Sequence, residues 1–514
     1  MSRDAPHVFI DEQNAVPPRG PVLVPPTWAR WGAFILIALL GLALRLPQLG
    51  VRPMHTDEAV NGYIVGQLLA GKSFTYDSRD RHGPMLAALA LPLSRLQGAA
   101  TFADLTESDL RLTTVLAGTL TILLFGAAVE MFGFLPSVIA ALLFAGAPLP
   151  VYYDRYFIHE SLFVAATFGL ILTFWRACRT RSATQAALAG ACAALMLASK
   201  ETALLHFFAL AAAAIVYWRW NLRGKITRYG WRPRAMLAAV AAFIVLTIVL
   251  FTGFGSNWKT LPELFHAAPN LMARAGGEGH QKPFWYFAQL LSGGWSGATI
   301  LILTCIGFFQ TMRKRDSSAY VFLAFYVLFL GALYSLIPYK TPWLALNFWL
   351  PVALFAGLAM QSLWRMAVKY PAHCVAIRSS CILVATVAAG LIAHDTHQRV
   401  FLHPADESNP YAYAHTSDDV LGLAPEIEKL AEQNAIASPR IAVIAADPWP
   451  LPWYLRHFAN VGFWQPGQQP GTADFYITST DAADQYADQL QSFHAGFFGV
   501  RPNVLILLWS PVPK

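Results

Sequence analysis

The stretch MHTDEAVNGY, Met54–Tyr63, sets two adjacent carboxylates, Asp57 and Glu58, just past the first long apolar run of the chain, Trp31–Leu46. Whether that pair tops a membrane helix or caps a helix in water depends on what surrounds it. Of 514 residues, 56% are hydrophobic and 13% charged, whereas a soluble domain carries about 25% charged residues. Mean hydropathy is +0.43. The chain therefore reads as a polytopic membrane protein. Its net charge of +7 is not the footprint of a nucleic-acid binder, because the excess sits in short loops between apolar runs.

A membrane helix needs about 20 mostly apolar residues. The sequence predicts about eleven spans: Trp31–Gly50, Leu110–Phe132, Leu135–Tyr153, Phe157–Trp175, Ala186–Ser199, Ala203–Trp218, Ala235–Phe254, Gly293–Thr311, Ala319–Pro338, Trp343–Trp364 and Ser379–Ala393. A polar, Pro-rich leader (residues 1–30) precedes them. No small-residue cleavage site follows the first run, which reads as an uncleaved span. The apolar but short, Pro-marked Gly83–Gly98 is expected to lie in the interface within a first outer loop, residues 51–108. Four loops, Arg176–Arg181, Arg219–Arg234, Arg313–Asp316 and Arg365–Arg378, together hold fifteen basic residues and one acidic residue. With these spans all four fall on one side, which the positive-inside rule makes cytoplasmic. The expectation is a multi-pass protein of the cytoplasmic (inner) membrane, N-terminus inside and C-terminus outside.

The membrane domain is expected over residues 31–394. From 395 to 514 the balance reverses to 13 acidic against 6 basic residues. Strand-like runs at Arg440–Ala446, Asp474–Thr480 and Asn503–Trp509 alternate with helix-like Pro425–Asn434 and Ala482–Phe493. That pattern predicts a small extracytoplasmic α/β domain. Five cysteines match no zinc or redox spacing and read as small packing residues.

On the outer side of this topology, four separate turns carry ionisable groups. Asp57 and Glu58 come first, with Arg81 and His82 further along the same loop. YYDRYFIHESLF (Tyr152–Phe163) adds Asp154, Arg155, His159 and Glu160. LASKETALL (Leu197–Leu205) adds Lys200 and Glu201, and IPYKTPWL (Ile337–Leu344) adds Tyr339 and Lys340. Each has a bland reading: helix cap, salt-bridge cluster, snorkelling lysine or interfacial aromatic. Ionisable groups converging on one face of a bundle more often mark a site. Arg155, Lys200, Lys340 and His82 suit a phosphate, and a nearby carboxylate suits proton abstraction. A phosphate at the outer membrane surface on a lipid-soluble carrier is what a polyprenyl-phosphate sugar presents.

These residues resemble the GT-C integral-membrane glycosyltransferases, in the branch of protein O-mannosyltransferases and lipid A aminoarabinose transferases. The chain is particularly similar to the group named for association with flippase activity in archaeal N-glycosylation. The resemblance runs through HTDEA, RHGPMLAAL, YDRYFIHESLF, SKETALL, IPYKTPWLALNFWLP and DPWPLPWYLRHF, in that order. It implies a GT-C-like bundle and a polyprenyl-phosphate-linked sugar donor. It implies Asp57 as the base and Glu58 as the second member of the acidic pair. Arg155 and Glu160 match the family's Arg-x4-Asp, with Glu in place of Asp, and Lys200 matches a lysine that contacts the lipid phosphate. His82-Gly83-Pro84 departs from the family's Lys-Pro-Pro.

The reaction so implied is direct displacement by an acceptor hydroxyl of a lipid, glycan or protein, with no cofactor. A divalent metal at Asp57-Glu58 is the minority expectation, and no nucleic-acid partner is expected. Trp449, Trp453 and Tyr454 of the last motif either stack on a sugar or dock the C-terminal domain on the bundle. Two other functions stay open on the residues alone: a transport or flippase component for lipid-linked sugars, and a non-catalytic scaffold.

Overall fold

The structure, a computed structural model, describes residues 25–221, 232–276, 280–314 and 319–512. Residues 1–24 of the leader, 222–231 of the basic loop 219–234, and 315–316 of the loop 313–316 lie outside the described residues.

The chain begins with α1 (Thr27–Arg45), then a first extramembrane segment bearing α2 (Thr56–Leu69) and α3 (Met85–Leu96). The bundle continues as α4 (Glu107–Phe132), α5 (Phe134–Gly146), α6 (Pro148–Asp154), α7 (Glu160–Thr180), α8 (Ala183–Ser199), α9 (Ala203–Asn221) and α10 (Pro233–Phe251). After the short α11 (Ala267–Ala275) and α12 (Tyr286–Leu291) come α13 (Gly294–Lys314), α14 (Ala319–Leu336), α15 (Trp349–Lys369) and α16 (Cys374–Thr396).

Among the described residues nine helical stretches are long and apolar enough to cross a membrane, or ten if α5 and α6 count as one. Two of the eleven expected spans differ from expectation. The run Leu135–Tyr153 is broken by a 59° bend at Ala147, which is extended (φ −71°, ψ 147°). Ala147 precedes Pro148, whose ring pushes the preceding residue out of the helical region. The run Ala186–Ser199 forms α8, 17 residues long and short for a full crossing. α3, at 12 residues, is too short to span.

The C-terminal segment forms α17 (Leu423–Gln433), β1 (Arg440–Ile444), α18 (Leu451–Tyr454), β2 (Asn460–Trp464), β3 (Phe475–Ser479), β4 (Phe493–Arg501) and β5 (Val504–Pro511). The sheet order is β2-β1-β3-β5-β4. β1 lies parallel to β2 and β3, whereas β5 runs antiparallel to β3 and β4. β1 is apolar on both faces. Ile441 and Val443 join the core with α17, and Ala442 and Ile444 face Ala482, Tyr486 and Leu490, as the two-residue period of a strand requires.

The segment Ala482–Phe493 is a chain of short helical turns (Thr480–Ala483, Asp484–Tyr486, Ala487–Leu490) instead of one helix. The core beneath the sheet is not private to this domain. Met54, Val65, Leu86 and Leu105 of the first extramembrane segment pack in the same apolar cluster as Val420, Ile427, Val443 and Trp453. None of the five cysteines is joined in a disulfide.

Candidate active site

The acidic pair opens α2, and its two members have opposite surroundings. His55 caps the helix, its ring Nδ1 accepting from the Asp57 amide at 3.1 Å, and Glu58 reaches back to accept from the His55 amide at 3.0 Å. This reciprocal box satisfies two amides that a helix start leaves unpaired. Glu58 is fully buried. Arg111 grips it with two bonds of 2.8 and 2.9 Å, the Phe157 amide donates at 2.8 Å, and Arg52 stands 3.7 Å away. Burial alone would raise the Glu58 carboxyl, but the two arginines and these hydrogen bonds overcome it and hold it at about 2. Asp57 is exposed, and among the described residues its carboxylate has no hydrogen-bond or ion-pair partner.

Asp154 and Arg155 are occupied elsewhere. Asp154, fully buried, pairs with Arg45 at 2.9 Å and accepts from the Ser161 hydroxyl at 2.6 Å. It sits directly against Gly118, where a Cβ would come within 2.0 Å of its carboxylate. Arg155 donates to the carbonyls of Arg45, Pro47 and Gln48 at 2.6–3.1 Å and lies over the Phe401 ring. It thus closes the C-terminal end of α1, a favourable place for a cation.

A second group forms where the α3 entry meets the starts of α7 and α9. His82 Nδ1 lies 2.7 Å from Glu201, whose other oxygen accepts from the Tyr76 hydroxyl at 2.8 Å. Burial would raise Glu201, but His82 and the Tyr76 bond hold it at about 2. The His82 and His159 rings meet edge to face at 5.1 Å. Burial, then the neighbouring His82 and Lys200, keep His159 well below the ordinary histidine range. Lys200 is hydrogen-bonded to Glu160, both largely buried. The loop must pass tightly here: a Cβ on Gly83 would fall 2.2 Å from the Ala198 carbonyl oxygen. One turn past Asp57, the Asn61 amide of α2 donates to the Phe157 carbonyl at 3.1 Å, two residues before His159.

Lys340 and Tyr339 belong to a third group. The Lys340 ammonium donates to the carbonyls of Ile337 (2.6 Å) and Lys282 (3.2 Å). Tyr339 forms an isolated bridge with Gln281 and packs on His280. The His280 ring nitrogen is 2.6 Å from the Tyr413 hydroxyl, and Lys282 lies over the Tyr413 ring. Burial lowers His280, and the nearby Asp57 charge acts against that shift.

The structure therefore brings His82, His159, Glu160, Lys200 and Glu201 together, and sets the Asp57 charge within electrostatic reach of His280. It turns Glu58, Asp154 and Arg155 inward and spends most of Lys340 on carbonyls. The sequence reading missed Arg45, Arg52, Arg111, His55, Tyr76 and His280. Arg45 and Arg111 carried a usable signal, since each falls inside an expected apolar span, where a charge needs a partner. Trp453 and Tyr454 dock the C-terminal domain: the Trp453 indole donates to Glu107 at 2.7 Å, and the Tyr454 hydroxyl accepts from the Met54 amide at 2.8 Å. Among the described residues no three His, Cys, Asp or Glu side chains converge as a metal-ligand set. A groove of about 700 Å³ along α13, lined by Leu301, Cys305, Phe309 and Arg313 among others, contains none of these groups.

The family model described as dolichyl-phosphate-mannose-protein mannosyltransferase matches residues 82–251, from the His82 loop to the end of α10. Among solved structures, ArnT from Cupriavidus metallidurans bound to undecaprenyl phosphate is similar over 93% of this chain and 98% of its own, at 15% identity and TM-score 0.64. The archaeal oligosaccharyltransferase AglB from Archaeoglobus fulgidus, in complex with an inhibitory peptide and a dolichol-phosphate, is similar over 92% of this chain and 74% of its own, at 13% identity and TM-score 0.55. No curated protein sequence matches.

Proposed function

We propose, for a multi-pass membrane chain that has the GT-C glycosyltransferase fold, that it transfers a sugar from a polyprenyl-phosphate donor to an acceptor hydroxyl. The observation that carries this reading is Asp57: a carboxylate without a partner among the described residues, on a helix start whose backbone is held. A base must be positioned yet free to take a proton, and Asp57 meets both conditions while Glu58 does not. Asp57 accepts the acceptor's hydroxyl proton as that oxygen bonds to the anomeric carbon. The bond from that carbon to the phosphate oxygen breaks, and polyprenyl phosphate leaves with the electron pair.

Lys200, already oriented by Glu160, and His82, oriented by Glu201, are the side chains we assign to the leaving phosphate. Arg155 and Lys340 are not assigned there, because their donors are engaged with backbone carbonyls. Glu58 takes the role of holding α2 to α4. The displacement uses only the chain's own groups and needs no cofactor. The family match and the undecaprenyl phosphate bound to ArnT support a lipid-linked donor. The basic loops support an N-terminus in the cytoplasm and a sheet domain outside the cytoplasmic membrane.

Asp57→Asn is expected to abolish the product with the protein still in the membrane. The check is mass spectrometry of surface glycans from cells carrying the wild type, Asp57→Asn or no gene, which names sugar and acceptor together. Wild-type glycans in Asp57→Asn cells would reject the base assignment. A labelled lipid-linked sugar that equilibrates across liposomes without any transferred product would favour a transport role instead.

A further inference from the structure

The backbone just before Asp57 is gripped from the C-terminal domain at both of its polar groups. The Met54 amide donates to the Tyr454 hydroxyl at 2.8 Å, and the Met54 carbonyl accepts from the Thr416 hydroxyl at 2.6 Å. All three residues are buried, Met54 and Thr416 almost completely. Both arms hang from the sheet domain. Thr416 precedes Ser417, whose amide bonds the Val500 carbonyl of β4 at 2.9 Å. Tyr454 ends α18, which Trp453 fastens to Glu107 and Arg456 fastens to the Leu105 carbonyl at 2.9 and 3.1 Å.

The rest of the turn is held from the membrane side. Arg111 takes the carbonyls of Arg52 and Pro53, and the capping box takes the His55 and Asp57 amides. Every one of these contacts holds backbone. The Asp57 side chain receives none of them.

We propose that Tyr454 and Thr416 are positioning residues: the C-terminal domain clamps Met54 and so sets where the Asp57 carboxylate stands. The domain then acts on the reaction without touching either substrate. This rests on the reading of Asp57 as base. A buried turn pinned at both its amide and its carbonyl has little freedom, and a reacting group misplaced by about 1 Å loses up to about a hundredfold in rate. Losing one arm of the clamp is expected to cost about tenfold.

The test uses the full chain with Thr416→Val, Tyr454→Phe, Thr416→Ser and Asp57→Asn. Two quantities are read: surface-glycan product per amount of protein in the membrane, and hydrogen exchange of the peptide spanning residues 54–58 in the purified chain. The expected result is product about tenfold down in Thr416→Val and Tyr454→Phe, with faster exchange at 54–58. Thr416→Ser, which keeps the hydroxyl, should stay near wild type. Full product in Thr416→Val and Tyr454→Phe, with none in Asp57→Asn, overturns the clamp and leaves the base reading standing. So does a loss that merely tracks the amount of protein in the membrane. Full product in Asp57→Asn overturns the base reading itself, and the clamp with it.

Discussion

At the scale of single residues, the difference between Asp57 and Glu58 shows how one position in a helix decides a carboxylate's fate. Both open α2, but the third helical position turns Glu58 back toward its cap and into Arg111. The Glu58 carboxyl stands at about 2 against an ordinary 4.5. A depressed carboxyl contributes stability that is fully present above the ordinary value and is lost as pH falls through the folded value. The contribution amounts to about 3 kcal/mol. A melting series in detergent between pH 6 and pH 2 should therefore be shallower in Glu58→Gln than in wild type. Glu58→Gln should also melt lower at neutral pH, since Arg111 loses its buried partner.

Lys200 and Glu160 make a second case. Lys200→Ala leaves a buried carboxylate unpaired, at a cost of about 3–5 kcal/mol. Adding Glu160→Gln should restore most of the melting temperature but not the product. That result would separate the structural part of the pair from its chemical part. The sequence placed all these charges at one membrane boundary. It did not distinguish Arg155, whose donors close α1, from Lys200, which pairs with Glu160, because a cation spent on backbone carbonyls and one held by a carboxylate are spelled the same way.

At the scale of elements, the apolar runs were legible because about 20 residues of continuous hydrophobicity have few other destinations. The two departures, the bend at Ala147 and the shortness of α8, follow from a proline's effect on its neighbour and from a run that ends early. In the C-terminal domain, β1, β3 and β5 were legible as apolar runs because all three are interior strands. β2 and β4 were missed because both are edge strands, half-exposed, and β4 carries Gly496 and Gly499 in its interior. The entry to α3 offers a test at this scale. Gly83→Ala forces a methyl into the Ala198 carbonyl, so the loop must move, and His82 with it. A loss of about 1–3 kcal/mol is expected, read as a lower melting temperature. Product should fall further than the lower stability accounts for.

At the scale of the whole molecule, the C-terminal domain and the first extramembrane segment share one core, with Trp453 fully buried at its centre. Trp453→Ala removes that side chain and leaves Glu107 without its indole. A destabilisation of about 3–5 kcal/mol is expected. Limited proteolysis should then cut between residues 397 and 440 well before the helices. Were the two parts separate bodies, the variant would melt the sheet and leave proteolysis of the first segment unchanged. Hydropathy divided the chain near residue 395. It could not show this shared core, because the cluster joins side chains about 400 positions apart.

By itself the sequence determined a multi-span helical protein, the side on which its basic loops gather, the presence of a C-terminal sheet and the short list of ionisable residues near its attachment. These follow from local composition, period and charge, which a linear reading contains. The tertiary structure alone decided which charges are consumed as supports and which stay available, and that the C-terminal domain grips the turn before Asp57. Those depend on which donor meets which acceptor across distant parts of the chain, and burial turns each such pairing into a commitment of several kcal/mol.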